Sequence, residues 1–451
     1  MLPPVPSPED YGISLKNGFL SPEPPLEALP NPYYARWEAI AARLQPLLLS
    51  KRVRPILNQL PVLSTSYLQT DAEWRRAYVV LVFMLHGYVW GGDRPAEKIP
   101  PQLTIPLFEV CEHLEVPPVA TYAGVCLWNY KPIFPDEPTD DLDNLACLQT
   151  FTGSLDEQWF YLVRLQQLAE TLDEINALLH RMYENCDPYI FYHRIRPYLA
   201  GSKNMADAGL PRGLLYDDGH NVSEYRQYGG GSNAQSSLIQ FFDVVLGIEH
   251  RPTGVSRKDQ ESTPYSSPKA RNSFIHEMRA YMPGPHRRFL EHVDSIANIR
   301  SFVEARRSDG ALCLAYDACL AMLRAMRDTH IQIVSRYIIV QARGARQSPS
   351  VIPASVQQPA AQNLATAVPP DSKKLRGTGG TALIPFLKQA RDETGEPAID
   401  VWARRILSNG PAAAGSAPLS KVGEHPDGHL EVVGLCGTWT ADDSEGGICH
   451  W

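Results

Sequence analysis

One histidine has a position that suits a buried group able to bind a metal. His330 falls on the apolar stripe of a long predicted helix, with Leu323, Met326, Val334 and Tyr337. A buried imidazole needs a partner, and haem iron held by a single histidine on a helix is one such partner. The alternative is a core histidine hydrogen-bonded to a neighbouring group, and helical spacing alone favours that alternative.

Two glycine-containing loops have the composition of small-ligand sites. Residues 228–237 (YGGGSNAQSS) place three glycines before a polar stretch that opens a helix. Backbone N–H groups at such a helix start can bind an anion such as a carboxylate or a propionate. Residues 377–381 (GTGGT) could wrap backbone and hydroxyl groups around a small polar ligand. Each loop taken singly is more typical of a flexible turn.

The remaining sequence excludes several classes of function. It contains no GxSxG, HExxH or GxxxxGK[ST] motif, and no CxxC pair among eight cysteines. With 42 Lys and Arg against 50 Asp and Glu, the net charge of -8 argues against nucleic-acid binding through a broad basic surface. The longest apolar run, 77–85, is too short to span a membrane. We therefore expect a cytoplasmic protein with reduced thiols, without a membrane or nucleic-acid partner.

Helical periodicity dominates the elements that must position His330 and the two loops. Residues 71–88, 156–185 and 311–342 all predict helices, and strand-like alternation is nearly absent, so the predicted class is all-α. Composition shifts divide the 451 residues into three parts. We expect a small N-terminal helical domain (1–135), a large helical domain (136–395) with a flexible connector (344–376), and a disordered tail (396–451).

Several segments together resemble the indoleamine 2,3-dioxygenase family, in its fungal form. The segments, in family order over about residues 10–394, are LPNPYYARWEAIA, GYVWGG, LEVPPVATYA, GGGSNAQSSLIQFFDVVLGIEH, HEMRAYMPGPHRRFLEHV, YDAC with LRAMRDTHIQIVSRYI, and GTGGTALIPFLKQARDET. The resemblance implies an all-helical haem protein with a small and a large domain. It also implies a reaction that inserts both atoms of O2 across the indole C2–C3 bond of L-tryptophan. The product is N-formylkynurenine, on the kynurenine route to NAD.

The resemblance implies a role for each residue that matches a family position. His330 matches the proximal ligand of one haem b, and Asp243 and Arg327 match the pair that braces the proximal side. Arg196 matches the arginine that binds the substrate carboxylate. The other matching pocket residues are the aromatic walls Phe160, Phe191 and Tyr122, Ser232 near a haem propionate, and Thr378 in the loop over the substrate. No side chain is expected to be catalytic by itself, because the chemistry occurs at the haem iron.

The same resemblance implies the partners of the protein. They are L-tryptophan or a related indole, O2, and an external electron donor that keeps the iron ferrous. The expected state is a monomer.

Three features depart from the family pattern on the distal side. The stretch between Phe160 and Phe191 is several helical turns shorter than in the family. Arg164 stands where the family has a small residue, and Asn233 stands where mammalian relatives have alanine. The sequence therefore leaves two alternatives open: a catalytically weak or inactive paralogue that binds haem or an indole, and a helical scaffold without a cofactor.

Overall fold

The computed structural model confirms the predicted all-α class, because most of the described chain is helical. The structure describes residues 5–21, 23–137, 141–166, 172–219, 224–255, 273–343, 364–365, 376–380, 382–409, 423–424, 430–434 and 437–440. For 164–166, 172–174, 176, 409 and the last three ranges, only the backbone is described. Most of the predicted connector at 344–376 lies outside the described residues.

Helix α4 is the centre of the N-terminal part. The helices of this part are α1 Ala35–Ala41, α2 Leu44–Leu49, α3 Val53–Asn58, α4 Asp71–Trp90 and α5 Pro101–Leu114. The side chain of Thr70 caps α4 by accepting a hydrogen bond from the Glu73 N–H at 3.3 Å. Residues 77–85 of α4 are buried on every face, as expected for a helix that is apolar all round.

Helix α13 is the longest described helix of the later part of the chain. The helices here are α6 Leu155–Gln166, α7 Leu172–Asn185, α8 Pro188–Ile190, α9 Ser237–Val245, α10 Phe274–Arg279, α11 Gly284–Ile296, α12 Ile299–Glu304, α13 Gly310–Val334, α14 Leu383–Thr394 and α15 Val401–Asn409. Asp309 caps α13 by accepting from the Leu312 N–H at 3.0 Å. The helix continues through a π-helical turn, Ser335–Val340, as the long apolar stripe predicts. No described helix is both long and apolar enough to cross a membrane.

Short strands form three small sheets in the described chain. The strands are β1 Lys98–Ile99, β2 Tyr130–Pro132, β3 Leu145–Cys147, β4 Leu214–Tyr216, β5 Glu224–Arg226, β6 Gly423–Glu424, β7 Leu430–Gly434 and β8 Gly437–Thr440. Strand β4 pairs in parallel with β1 (Lys98 opposite Leu215) and antiparallel with β5, while β2 pairs with β3 and β7 with β6 and β8. The β1–β4 pair therefore joins the N-terminal part to the later part.

The first residues of the chain also join the two parts. The Tyr11 hydroxyl is 2.8 Å from His292 Nδ1 on α11. The Phe19 ring lies edge-on to the rings of His286 on α11 and Phe241 on α9, at centroid distances of 5.2 and 6.2 Å. The N-terminal segment (residues 5–21) is thus fixed on helices that follow it by more than 200 residues.

The start of the predicted disordered tail is instead ordered. Ala398 and Ile399 are buried and precede α15. The Asp317 carboxylate on α13 accepts hydrogen bonds from the N–H groups of Ile399 at 2.7 Å and Asp400 at 3.0 Å. This carboxylate satisfies amides at the helix start that would otherwise lack partners. The expectation of disorder was therefore wrong for residues 396–409, and the strands β6–β8 follow in the tail.

Candidate functional site

A cavity that is partly open to solvent lies between α13, α14 and the two glycine loops. Its described wall is mainly apolar, which is typical of a site for a small organic ligand. The wall includes most residues predicted from the sequence: Phe160, Phe191, Arg196, Ser232, Arg327, His330 and Thr378. The fold thus brings together side chains that are up to 218 positions apart in the sequence (160 to 378).

His330 enters this cavity from α13. Met326 and Val334, one turn on either side of it, line the same cavity, because residues four positions apart lie on one helix face. The polar group on this stripe is therefore an imidazole flanked by apolar side chains. Such a nitrogen can bind the metal of a flat cofactor whose remaining surface contacts the apolar wall.

Arg327, one turn before His330, is held by an ion pair with Asp243. Its Nη2 lies 2.6 and 2.8 Å from the two carboxylate oxygens of Asp243 on α9, while Nη1 donates to the Ala390 carbonyl at 3.1 Å and to the Thr394 hydroxyl. Ala390 and Thr394 belong to α14. The pair predicted to brace the proximal side is thus formed, and it connects α9, α13 and α14.

A second pair of charges continues this network. Both ring nitrogens of buried His250 face carboxylates: Nε2 is 3.1 Å from Asp243 Oδ2, and Nδ1 is 2.7 Å from Glu393 Oε2. Burial on its own lowers the pKa of His250, but the two carboxylates outweigh it and raise that pKa above its ordinary value. For Asp243, burial raises the pKa, while Arg327 and His250 outweigh this effect and hold the pKa below its usual range.

Arg196 lies at another side of the cavity and has a different environment. Its side chain is fully buried; Nη2 donates to the Arg376 carbonyl at 2.5 Å and Nη1 to the Leu364 carbonyl at 3.2 Å. Nε has no hydrogen-bond partner, and Arg196 forms no ion pair within the described part of the chain. Burial lowers the pKa of Arg196 to about 10, so the guanidinium stays charged at neutral pH. A buried, unpaired cation of this kind suits a ligand carboxylate.

Three backbone segments meet beside Arg196 and form one rim of the cavity. The N–H groups of Gly230 and Gly201 donate to the Thr378 carbonyl at 3.0 and 3.4 Å, and the Thr378 hydroxyl donates to the Gly231 carbonyl at 2.6 Å. A Cβ at Gly230 would overlap the Leu199 carbonyl, so glycine is required for this close approach. The two glycine-containing loops predicted from the sequence therefore contact each other directly.

Asn233 and the distal aromatic residues complete the described wall. The Asn233 Oδ1 is buried against the cavity and has no hydrogen-bond partner in the part of the chain that the structure describes, so it can accept from a ligand N–H or O–H. Ser232 caps the short turn Asn233–Gln235 by accepting from the Ala234 N–H at 3.3 Å. The rings of Phe160 and Phe191 have centroids 4.7 Å apart and form an apolar face.

One predicted pocket residue lies elsewhere. Tyr122 is buried but is not among the residues that line the cavity; its backbone N–H donates to Gln235 Oε1 at 2.8 Å. Tyr122 therefore supports the glycine loop from behind. The side chain of Arg164 lies outside what the structure describes. Sequence reasoning missed His250 and Glu393, although both fall inside segments that carried the family resemblance, because their pairing spans 143 residues.

Comparison with known proteins gives a consistent result. A family model described as indoleamine 2,3-dioxygenase matches residues 7–166 and 163–397. The two matched stretches meet at 163–166, within the segment that the sequence suggests is shortened.

Individual relatives match over most of their length. An indoleamine 2,3-dioxygenase of Saccharomyces cerevisiae is 38% identical over 436 residues, covering 87% of this chain and 93% of the relative. One from Penicillium citrinum is 37% identical, covering 85% and 87% respectively. A 6-hydroxytryptophan 2,3-dioxygenase of Fusarium equiseti is 34% identical, covering 85% and 96%.

Proposed function

Because the chain belongs to the indoleamine 2,3-dioxygenase family, whose members are dioxygenases, we propose that it cleaves the indole ring of L-tryptophan with a haem bound through His330. The reaction inserts both atoms of O2 across the C2–C3 bond and gives N-formylkynurenine. The observation that carries the proposal is one cavity holding both a helix-borne imidazole and a buried guanidinium that has no carboxylate partner among the described residues.

The chemistry of the cavity fits a haem. Its described lining has the His330 imidazole, two arginines (Arg196 and Arg327) and otherwise mostly apolar groups, with no carboxylate. A flat macrocycle that brings its own nitrogen ligands and has an apolar face matches this lining. When bound, the haem supplies the ferrous iron at which O2 is activated.

The chain's own residues bind and orient the substrate. Arg196 can donate two parallel hydrogen bonds to the substrate carboxylate, and each charged hydrogen bond contributes about 1.5–3 kcal/mol. The faces of Phe160 and Phe191 pack against the indole and exclude water. The Asp243–Arg327 pair holds the helix that carries His330, so that the imidazole keeps one orientation.

Product formation tests this proposal directly. Haem-reconstituted, ascorbate-reduced protein is given L-tryptophan in air; haem is measured by the Soret band and N-formylkynurenine by its absorbance. Arg196→Met should abolish most turnover, whereas Arg306→Met, an exposed arginine that follows α12, is the matched control. A Soret band without product in the unaltered protein would contradict the proposal. Parallel assays with 6-hydroxytryptophan would define the preferred indole.

A further inference from the structure

The turn that carries Arg196 is anchored by side chains of a distant helix. Arg196 begins the 3-10 turn Arg196–Leu199, and the last carbonyls of such a turn have no partner within it. His86 Nδ1 lies 2.6 Å from the Tyr198 carbonyl, and Trp90 Nε1 donates to the Ala200 carbonyl at 3.0 Å. His86 and Trp90 are four positions apart on α4, so they face the turn from one side of that helix.

The second nitrogen of His86 contacts another segment of the site. The Ala120 backbone N–H donates to His86 Nε2 at 2.9 Å. A backbone N–H can only donate, so Nε2 must be the unprotonated nitrogen and Nδ1–H must donate to Tyr198. The segment 120–122 in turn reaches the first glycine loop: Tyr122 N–H donates to Gln235 Oε1, and Gln235 Nε2 donates to the Gly230 carbonyl at 2.9 Å.

His86 therefore lies behind the junction of two cavity walls. On one side is the turn with Arg196 and Leu199; on the other is the loop with Gly230 and Gly231. Gly230 packs so closely on the Leu199 carbonyl that a Cβ would overlap it, and a shift of one segment would therefore displace the other. The neutral imidazole of His86 accordingly bonds the turn directly at Tyr198 and bonds Ala120, whose segment contacts the glycine loop.

We propose that His86 is a positioning residue for Arg196: it fixes the carboxylate-binding turn against the glycine loop without touching the substrate. This proposal rests on the function proposed above. Trp90 supports the same turn at Ala200. Burial lowers the pKa of His86 to about 4, so the neutral ring and both of its hydrogen bonds persist at neutral pH. A core histidine without this role would affect all ligands of the cavity alike.

The test compares a substrate with and without a carboxylate. In haem-loaded enzyme, His86→Leu is expected to raise KM for L-tryptophan about tenfold with kcat changed less than about twofold, because ground-state binding is lost. KM for tryptamine, which lacks the carboxylate, should change less than about twofold. His86→Asn, whose amide can still donate to Tyr198, should recover most of the loss, and Trp90→Phe should show a smaller loss of the same kind.

The control is Val80→Ala, which removes buried methyl groups elsewhere on α4. It should affect the two substrates equally. Equal losses for both substrates in His86→Leu, or no loss at all, would overturn the positioning role, and melting temperatures would show whether the variants remain folded.

Failure of the proposed function is recognised separately. If the unaltered protein makes no N-formylkynurenine, that function fails, and binding decides the role of His86. The shift of the Soret band or of the melting temperature with L-tryptophan should then be weaker in His86→Leu, and the shift with tryptamine equal. An unaltered protein that binds neither compound would overturn both proposals.

Discussion

The two sides of the cavity satisfy their buried charges in opposite ways. Around Arg327, every charge meets an opposite charge from the chain: Asp243 pairs with Arg327, and His250 lies between Asp243 and Glu393. Around Arg196, the described residues that face the cation are two backbone carbonyls and the ring of Tyr192, 5.3 Å from the guanidinium. The charges of the first side are compensated without a ligand, whereas the cation of the second side is compensated only when an anion binds. The Arg327 side therefore supplies a rigid support, and the Arg196 side supplies the binding site for an anion.

Removing the imidazole should have the largest effect. His330→Ala is expected to lose stable haem binding and to lower turnover at least about 100-fold. Mutation of a residue that only supports a metal ligand already lowers metal affinity or activity about 10–100-fold. The Soret absorbance per protein and the rate of N-formylkynurenine formation measure this. His113→Ala, a half-exposed histidine on α5, should change neither. A normal Soret band in His330→Ala would exclude His330 as the iron ligand.

Breaking the paired side should destabilise the fold. Arg327→Met leaves the buried Asp243 carboxylate with His250 but without its strongest partner, so the loss of unfolding free energy should approach that of a fully uncompensated charge, about 3–5 kcal/mol. Denaturant unfolding of the haem-free protein measures the change. Arg306→Met, at an exposed site, should differ from the unaltered protein by less than about 0.5 kcal/mol. Equal stability of the two variants would show that the pairs contribute nothing net.

Removing the Arg196 cation should weaken ligand binding without destabilising the fold. Arg196→Met is expected to keep or raise the unfolding free energy, by up to about 2 kcal/mol, because no carboxylate is left behind. The same variant should weaken L-tryptophan binding at least about 100-fold, because two charged hydrogen bonds are lost. Unfolding curves and Soret titrations give the two quantities. A large loss of stability would mean that the carbonyl contacts alone satisfy the guanidinium.

The smallest effect is the pH dependence of stability, which has opposite signs at the two histidines. The pKa of His86 falls from 6.5 to about 4 on folding, so its contribution is present above pH 6.5 and is lost as pH falls towards 4, by about 1.4 kcal/mol at pH 5.5. The pKa of His250 is raised, so its contribution is present below 6.5 and is lost as pH rises through its folded value.

Variants separate these two contributions. Stability curves of His86→Asn and His250→Gln between pH 5 and 8 should therefore diverge from the unaltered protein in opposite directions. Parallel curves for the two variants would contradict the assigned protonation states.

The local sequence pattern predicted those features of the fold that depend on residues close together in the sequence. The apolar stripe predicted α13 and the position of His330, because helical periodicity is a property of a short stretch. The two glycine loops were expected from their composition, whereas Phe160, Phe191 and Arg196 were expected only from the family resemblance. Contacts such as Asp317 with Ile399, 82 residues apart, decide whether a segment is ordered. No local pattern encodes them, so the ordered start of the tail and the histidine contacts emerged only from the fold.

The N-terminal segment has a consequence for synthesis on the ribosome. Tyr11 and its partner His292 are separated by 281 residues. At a translation rate of roughly 5–20 residues per second, the segment emerges about 14–56 s before its docking helix exists. Throughout that interval Phe19 is available to chaperones or to other nascent chains. The N-terminal segment thus reaches its final place only when α11, made 281 residues after Tyr11 at His292, has been translated.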